Sequence, residues 1–237
     1  MKTLIQTKSI EMKYADKRAL SDINMTIESG KIIGLLGPNG SGKTTLMKLI
    51  AGLLQPSSGY VIYPENAARG VESKAAISFM PDELRFPGYM TVADAFGFYS
   101  DMYPDYSKIR AEQMRELLNI DNSKAKLKTL SKGQKERVAL ALTFSRQTKL
   151  YLLDEPLGGI DPVGKKKIVD AILTMQLDDS SIVISTHLVK DIERIFDGVY
   201  FISNGNIAFS GDCDEMREQS GKTVEQKYLE VFDYESI

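Results

Sequence analysis

The fold is decided by residues 31–54, which read KIIGLL at 31–36, GPNGSGKT at 37–44 and TLMKLIAGLL at 45–54. The first segment is a continuous apolar run after Lys31, and such a run predicts a strand that is buried on both faces. The second segment is rich in glycine, and in the third the apolar residues recur at helical spacing. A strand, a glycine-rich turn and a helix in this order open an α/β unit.

The glycine-rich segment matches the pattern G-x-x-x-x-G-K-[ST], in which each residue type has a physical role. The glycines let the backbone point successive N–H groups at phosphate oxygens, and the following helix aims its positive N-terminal end at the same anion. Lys43 adds a full charge beside the outer phosphates, and the Thr44 hydroxyl is a ligand for Mg²⁺. A glycine-rich turn with an incidental lysine is the alternative. The predicted phosphate-binding residues are Gly37, Pro38, Asn39, Gly40, Ser41, Gly42, Lys43, Thr44 and Thr45.

A second buried strand ends in two acids, at Leu150-Tyr-Leu-Leu-Asp154-Glu155. Ligands of open α/β sheets bind at the carboxyl ends of the strands. Asp154 is therefore expected to hold Mg²⁺ through a water, and Glu155 to orient or deprotonate an attacking water. The single histidine, His187, follows the strand predicted at 182–185 and is expected to sense the γ-phosphate. An ordinary acidic strand end and a structural histidine are the alternatives.

The rest of the chain divides into strands around a helical insertion. Residues 1–30 alternate between apolar and polar side chains and predict half-exposed strands, whereas residues 84–145 predict three helices. These helices are expected at about 91–103, 107–120 and 131–141. The remaining predicted elements are strands at 60–63 and 75–80, a helix from Asp161-Pro162 to about Met175, a helix from His187 onward, a hairpin at Asn204-Gly205 and helix in the last 25 residues.

The composition limits the classes of function. Among 237 residues, 30 Lys+Arg stand against 32 Asp+Glu, and a net charge of −2 gives no support to nucleic acid as a partner. The single cysteine, Cys213, has no partner for an internal disulfide, which favours a reducing, cytoplasmic compartment. The N-terminus lacks a signal-peptide core, and no stretch approaches the roughly 20 apolar residues that cross a bilayer. We therefore expect a globular chain that does not span a membrane.

One further motif makes the pattern specific. Leu130-Ser-Lys-Gly-Gln134 lies at the start of a predicted helix, 20 residues before the second buried strand. With the phosphate loop, the acidic pair and His187 in this order, the chain resembles the nucleotide-binding subunits of ABC transporters from about residue 4 to residue 210. The resemblance implies an α/β fold with a P-loop NTPase core, in which helices flank a mixed sheet, together with an N-terminal antiparallel β region and a helical insertion. It further implies one ABC ATPase domain over 1–237, with a catalytic core at 1–83 and 146–237 and a helical signature subdomain at 84–145.

The same resemblance implies roles for individual residues, with ATP and Mg²⁺ as cofactors. Asp154 is similar to the Walker B aspartate, Glu155 to the catalytic glutamate and His187 to the switch histidine of the family. Tyr14 stands where these proteins stack an aromatic ring on adenine. A tyrosine on an ordinary strand face would give the same pattern at this position.

The signature motif implies a partner. Ser131, Gly133 and Gln134 are similar to the signature residues that bind the γ-phosphate of ATP held by a second protomer, and Leu157-Gly-Gly-Ile-Asp161 resembles the D-loop between the two sites. Ser131 is expected to cap a helix, whose free N–H groups then form a second anion site. Two such sites closing on ATP predict a two-fold homodimer, or a heterodimer with a related subunit.

Two positions depart from the commonest family pattern. Lys132 replaces the first glycine of Leu-Ser-Gly-Gly-Gln, as in many exporter-type subunits. An acid, Asp82 or Glu83, stands where a glutamine is expected after Phe79-Met-Pro81, and Asp82 is a candidate Mg²⁺ ligand. The expected contacts with a membrane partner, which an ordinary packed loop would explain as well, are Phe86, Pro87 and Tyr89.

The resemblance implies an ATPase that powers transport, and Lys132, the acidic variant and the short C-terminal region favour export over import. Separate transmembrane permease subunits would hold it on the inner face of the cell membrane. A soluble ABC-type ATPase that acts as an assembly factor is the alternative. Repair-type ATPases have a long coiled coil between the phosphate loop and the signature, and they are excluded because Lys43 and Ser131 are only 88 residues apart. A GTPase is excluded because no Asn-Lys-x-Asp motif is present.

Overall fold

The computed structural model describes residues 2–15, 17–63, 75–83 and 85–233. Leu84, at the predicted start of the insertion, and residues 234–237 of the predicted C-terminal helix lie outside the described residues. The strands are β1 (Thr3–Tyr14), β2 (Lys17–Glu28), β3 (Ile32–Leu36), β4 (Ser58–Ile62), β5 (Ile77–Met80), β6 (Leu150–Asp154), β7 (Ser181–Thr186), β8 (Gly198–Ser203) and β9 (Asn206–Asp212). The helices are α1 (Lys43–Ile50), α2 (Val92–Met102), α3 (Lys108–Leu117), α4 (Lys132–Phe144), α5 (Pro162–Met175), α6 (Cys213–Ser220) and α7 (Val224–Asp233).

The strands form two sheets. The first is antiparallel, with the order β2-β1-β4, and the second has the order β5-β6-β7-β3-β8-β9. In the second sheet β5, β6, β7, β3 and β8 run parallel, and β9 returns antiparallel to β8 as the predicted hairpin. The mixed sheet, the N-terminal antiparallel sheet and the helical insertion of the predicted fold class are therefore all present.

The larger sheet separates two hydrophobic cores. Ile32 and Leu36 of β3 pack into the core that holds the apolar faces of α2 to α5, whereas Ile33 and Leu35 pack into the core formed with β1, β2 and α1. Every residue of β3 is buried. The continuous apolar run in the sequence therefore has the predicted cause, because each face of this strand meets a different core.

The topology brings the predicted functional residues to one edge of the sheet. β7 lies between β3 and β6, and all three run in the same direction. The phosphate loop follows β3, the acidic pair ends β6, and His187 follows β7. The carboxyl ends of neighbouring parallel strands thus supply all three groups.

The helical insertion is anchored to the core by a buried arginine. Arg110 of α3 donates hydrogen bonds from Nε to the carbonyl oxygen of Phe144, at 2.9 Å, and from a terminal guanidinium nitrogen to that of Met175, at 2.7 Å. The ring of Phe144 stacks on Tyr151 of β6, with centroids 4.7 Å apart. The C-terminal end of α4 therefore packs directly on the sheet, and the division at 84–145 stays a prediction.

Two helix predictions are wrong, one because no α-helix forms and the other because the helix is shorter than predicted. The helix expected from His187 onward is replaced by two 3₁₀ turns, Val189–Asp191 and Glu193–Ile195. The chain has to return to β8 at once, because the N–H of Asp197 donates to the carbonyl oxygen of Ile32 at 2.9 Å. The helix after the phosphate loop ends at Ile50 rather than Leu54, because Gly52 adopts a left-handed φ of +66° that ends a helix.

Candidate active site

The phosphate loop has a backbone that only glycine accommodates at several positions. A Cβ atom at Gly37 would lie 2.2 Å from the carbonyl oxygen of Ile202, and Gly42 has a φ of +115°. The hydroxyl of Ser41 is buried and makes no hydrogen bond within the described part of the chain. No side chain caps the N-terminus of α1. The loop therefore presents a buried donor and an uncapped helix end to an anion, as phosphate binding requires.

Lys43 concentrates positive charge inside this loop. Its ammonium donates to the carbonyl oxygens of Gly37, at 2.7 Å, and Pro38, at 3.1 Å, and lies 3.6 Å from Oε1 of Glu155. Burial lowers the pKa of Lys43, while the neighbouring carboxylates of Glu155 and Asp154 act to raise it. An incoming phosphate can replace the carbonyl and carboxylate partners and retain the charge.

Asp154 is buried at the end of β6 with one carboxylate oxygen in use. Oδ1 accepts a short hydrogen bond from the Ser185 hydroxyl, whereas Oδ2 has no partner among the described residues. Burial raises the pKa of Asp154, and the hydroxyls of Ser185, which donates to Oδ1, and of the nearby Thr44 oppose this shift. A carboxylate oxygen beside a threonine hydroxyl is a donor set that fits Mg²⁺ when waters and phosphates complete the shell. No group of three or more His, Cys, Asp or Glu side chains converges on a metal position in the described ranges.

Glu155 has a left-handed backbone, with a φ of +49°, which costs a non-glycine residue about 1–3 kcal/mol. Its N–H is held by the carbonyl oxygen of Ser185 at 3.0 Å and by the Ser185 hydroxyl at 3.2 Å. Its carboxylate lies between Lys43 and His187, with Oε2 3.1 Å from Nδ1 of the histidine. A carboxylate placed between a cation and an imidazole is equipped to accept a proton from water.

A cleft of about 510 Å³ lies in front of the phosphate loop and Glu155, whereas Asp154 and His187 do not line it. Tyr14 is half exposed at its wall, and Lys17 and Arg18 line the same side. The structure therefore brings most of the residues predicted from the first motifs into one place. The predicted site residues that line the cleft are Tyr14, Asn39, Gly40, Gly42, Lys43, Thr44, Thr45, Asp82 and Glu155.

The signature residues lie elsewhere, at the N-terminus of α4, and do not line this cleft. Ser131 caps the helix as predicted, since its hydroxyl accepts from the N–H of Gln134 at 3.3 Å. The Gln134 side chain in turn accepts from the N–H of Ser131 at 2.9 Å. The carbonyl oxygen of the Gln134 side chain is therefore engaged in a capping box, a role that the sequence analysis missed although Ser-x-x-Gln is its signature.

Comparison with known proteins identifies the family. The model of the family described as ABC transporter matches residues 20–158. The chain belongs to this family. It is 30% identical to the ABC transporter ATP-binding protein YdbJ of Bacillus subtilis over 232 residues, which cover 96% of this chain and 74% of that protein.

Solved structures of ABC proteins share the fold. The ATP-binding subunit of an ABC transporter has a TM-score of 0.85 at 23% identity, and the match covers 97% of this chain and 99% of that one. A dimeric bacterial ABC transporter cassette, MJ0796, has a TM-score of 0.77 at 22% identity, covering 88% and 98%. As an ABC ATP-binding protein, the chain is an ATPase.

In the described ranges, no helix combines the length and the apolar character that a membrane span requires.

Ser185 is the site residue that sequence analysis missed. It bonds to the side chain of Asp154 and to the backbone of Glu155, and so holds both acids in place. A serine has no distinctive chemistry in a sequence motif. The available signal was its position at the carboxyl end of a parallel strand, where the sheet register pairs it directly with Asp154.

Proposed function

We propose that two copies of this ABC ATPase, or one copy and a related subunit, clamp ATP and Mg²⁺ between them and drive separate transmembrane permease subunits. The observation that carries the proposal is the carboxylate of Glu155, which lies between Lys43 and His187 and follows Asp154, whose Oδ2 has no partner in the described part of the chain. Lys132 and Asp82 favour export as the direction of transport. The permease would hold the chain on the inner face of the cell membrane.

In this proposal each of the site residues has a defined task. The loop N–H groups and Lys43 bind the outer phosphates, and engagement of Lys43 by phosphate weakens its ion pair with Glu155. The released carboxylate then takes a proton from the attacking water, while His187 orients that water and the γ-phosphate. Mg²⁺, held by Thr44 and Asp154, would neutralise charge that develops on the phosphate oxygens.

The N-terminus of α4 is the proposed contact with the second protomer. Ser131 and Gly133 lie outside the cleft of their own chain, and Ser131 is exposed. The N–H groups of the first turn that the capping box does not use would form an anion site at the positive end of the helix. Closing this site on the γ-phosphate of the opposite subunit would make ATP part of the dimer interface.

An arginine at position 131 is expected to prevent closure of the dimer. Ser131→Arg, in a Glu155→Gln background that retains ATP, should weaken ATP-dependent dimerisation at least about tenfold, because a long side chain fills the position of the γ-phosphate at the interface. Light scattering with ATP and Mg²⁺ measures dimerisation, and titration calorimetry measures nucleotide binding by the monomer, which should persist. Ser100→Arg, on the exposed face of α2, is the matched control. ATP-dependent dimers of the Ser131→Arg variant would contradict the shared site.

A groove between α1 and the insertion is the proposed permease contact. It has a volume of about 1,090 Å³ and exposes Phe98, at 45%, and Met102, at 58%. Phe86, one of the three predicted contacts, packs edge-on against Phe98 in its wall, whereas Pro87 and Tyr89 do not line it. Asp82 lines both this groove and the nucleotide cleft, so that a partner in the groove adjoins the proposed Mg²⁺ site. Exposed aromatic and apolar side chains in a concave surface are typical of partner binding.

A charge in this groove is expected to separate the ATPase from its membrane partner. Phe98→Asp should lower the amount of chain that sediments with membranes of its native cell about tenfold and leave basal ATP hydrolysis within twofold of the parent. Leu173→Asp on α5, a position that is 47% exposed outside the groove, is the matched control. Mass spectrometry of the co-purified proteins tests whether a polytopic membrane protein is the partner. Equal sedimentation of both variants, or no membrane association of the parent, favours the assembly-factor alternative.

A further inference from the structure

Lys132 occupies a position that local helix energetics disfavours. It is the first residue of α4, where the positive end of the helix dipole repels a cation. The acid four residues later, Glu136, completes a pair in the less favourable order, since glutamate before lysine is the stabilising arrangement. The helix itself therefore gives no reason for a lysine at this position.

Glu136 forms an ion pair with Lys132. Its side chain is buried, at 5% exposure, and neither carboxylate oxygen has a hydrogen-bond partner among the described residues. The ammonium of Lys132 lies 3.8 Å from Oε1. Burial raises the pKa of Glu136 to about 7, Asp82 adds to that rise, and the Lys132 charge opposes it. A buried carboxylate without hydrogen bonds is costly, so the lysine is its source of compensation.

The same lysine covers the loop at 157–161, which follows the catalytic glutamate. A Cβ atom at Gly159 would lie 3.0 Å from Cδ and 3.1 Å from Nζ of Lys132, and one at Gly158 would lie 3.8 Å from Nζ. Gly159 also has a φ of +75°. The end of the Lys132 side chain therefore lies against the backbone of this loop, where a side chain at position 159 would have to displace it.

The loop is in turn bonded to Glu155. The N–H of Gly158 donates to the carbonyl oxygen of Glu155 at 3.1 Å. Lys132 thus links Glu136 to the loop at 157–161, and this loop is bonded to the backbone of Glu155, which accepts the proton in the proposed mechanism. Lys132 directly follows Ser131, which meets the partner's ATP in that mechanism, and Glu155 lines the chain's own cleft.

We propose that Lys132 is a positioning residue that ties the signature helix to the loop at 157–161 by pairing with Glu136 and packing on Gly159. Through this connection, the position that Ser131 takes on one ATP determines the position of Glu155 beside the second ATP. The proposal rests on the proposed ATP-clamped dimer. It requires the ammonium and the stem of Lys132, and it involves no contact between Lys132 and nucleotide.

The test is a double-mutant cycle on steady-state ATP hydrolysis. Lys132→Met, which keeps the stem and removes the charge, should lower kcat about tenfold and leave KM for ATP within twofold of the parent. Lys132→Arg, which keeps the charge, should have a kcat within about twofold of the parent. Glu136→Gln should lower kcat similarly. The double variant Lys132→Met/Glu136→Gln should be no worse than Lys132→Met, because both changes break one pair.

Three outcomes would overturn the proposal. The first is an unchanged kcat in Lys132→Met. The second is a raised KM with unchanged kcat, which would mean that Lys132 touches the nucleotide. The third is multiplication of the two single effects in the double variant, which would mean that the residues act separately. Parent ATPase activity and its rise with protein concentration are measured first, so that failure of the dimer itself is distinguished from failure of the Lys132 tie.

Discussion

Replacing Glu155 with glutamine is expected to lower kcat for ATP hydrolysis about 10²- to 10⁴-fold, the contribution of a positioned general base. The amide keeps the shape of the carboxylate, but it cannot take a proton from water. ATP binding should persist, because the phosphate loop and Lys43 are unchanged. The variant should therefore accumulate as an ATP-bound dimer, visible as a doubled mass in light scattering with ATP and Mg²⁺.

Glu218→Gln is the matched control for this substitution. Glu218 is an exposed glutamate of α6, so its variant tests the charge change without touching the cleft. Its kcat should stay within about twofold of the parent, as expected of a surface substitution. Hydrolysis by Glu155→Gln at the parent rate would show that another group is the base.

Removing the Lys43 side chain is expected to weaken ATP binding about 10²- to 10³-fold, since hydrogen bonds to charged groups contribute about 1.5–3 kcal/mol each. Lys43 is buried against the loop carbonyls, so its ammonium is already oriented and desolvated before phosphate arrives. Little free energy is therefore lost in ordering this side chain when ATP binds. Titration calorimetry of Lys43→Ala against ATP and Mg²⁺ measures the loss directly.

Lys48→Ala provides the comparison for the loss of a lysine from the same helix. Lys48 lies in the last turn of α1 and lines the groove rather than the nucleotide cleft. Its variant should bind ATP within about twofold of the parent. Equal affinities for the parent and Lys43→Ala would refute the assignment of the phosphate loop.

Local features of the chain could be predicted from sequence because their causes are local. The apolar run of β3, the glycines of the phosphate loop and the capping serine at 131 each depend on a few neighbouring residues. The structure confirms β3 and the cap at the expected positions. The functional roles of the site residues stay predictions, which the substitutions above test.

Features that depend on the tertiary fold could not be predicted in the same way. The segment after His187 has helical periodicity, but a bond from Asp197 to β3 returns the chain before a helix can form. Ser185 gains its role only because β7 lies beside β6 in register with Asp154. Lys132 was visible as a departure from the family motif, but its partners, Glu136 and Gly159, are defined by packing.

The guanidinium of Arg110 connects α3 to the ends of α4 and α5. Its two bonds to the carbonyl oxygens of Phe144 and Met175 are buried, and breaking them costs about 1.5–3 kcal/mol each. A displacement of α3 relative to α5 has to break the bond to Met175, and one relative to the end of α4 has to break the bond to Phe144. Loss of the Arg110 side chain would leave both carbonyl oxygens without this donor inside the protein, so this one residue couples the position of the insertion to the stability of the core.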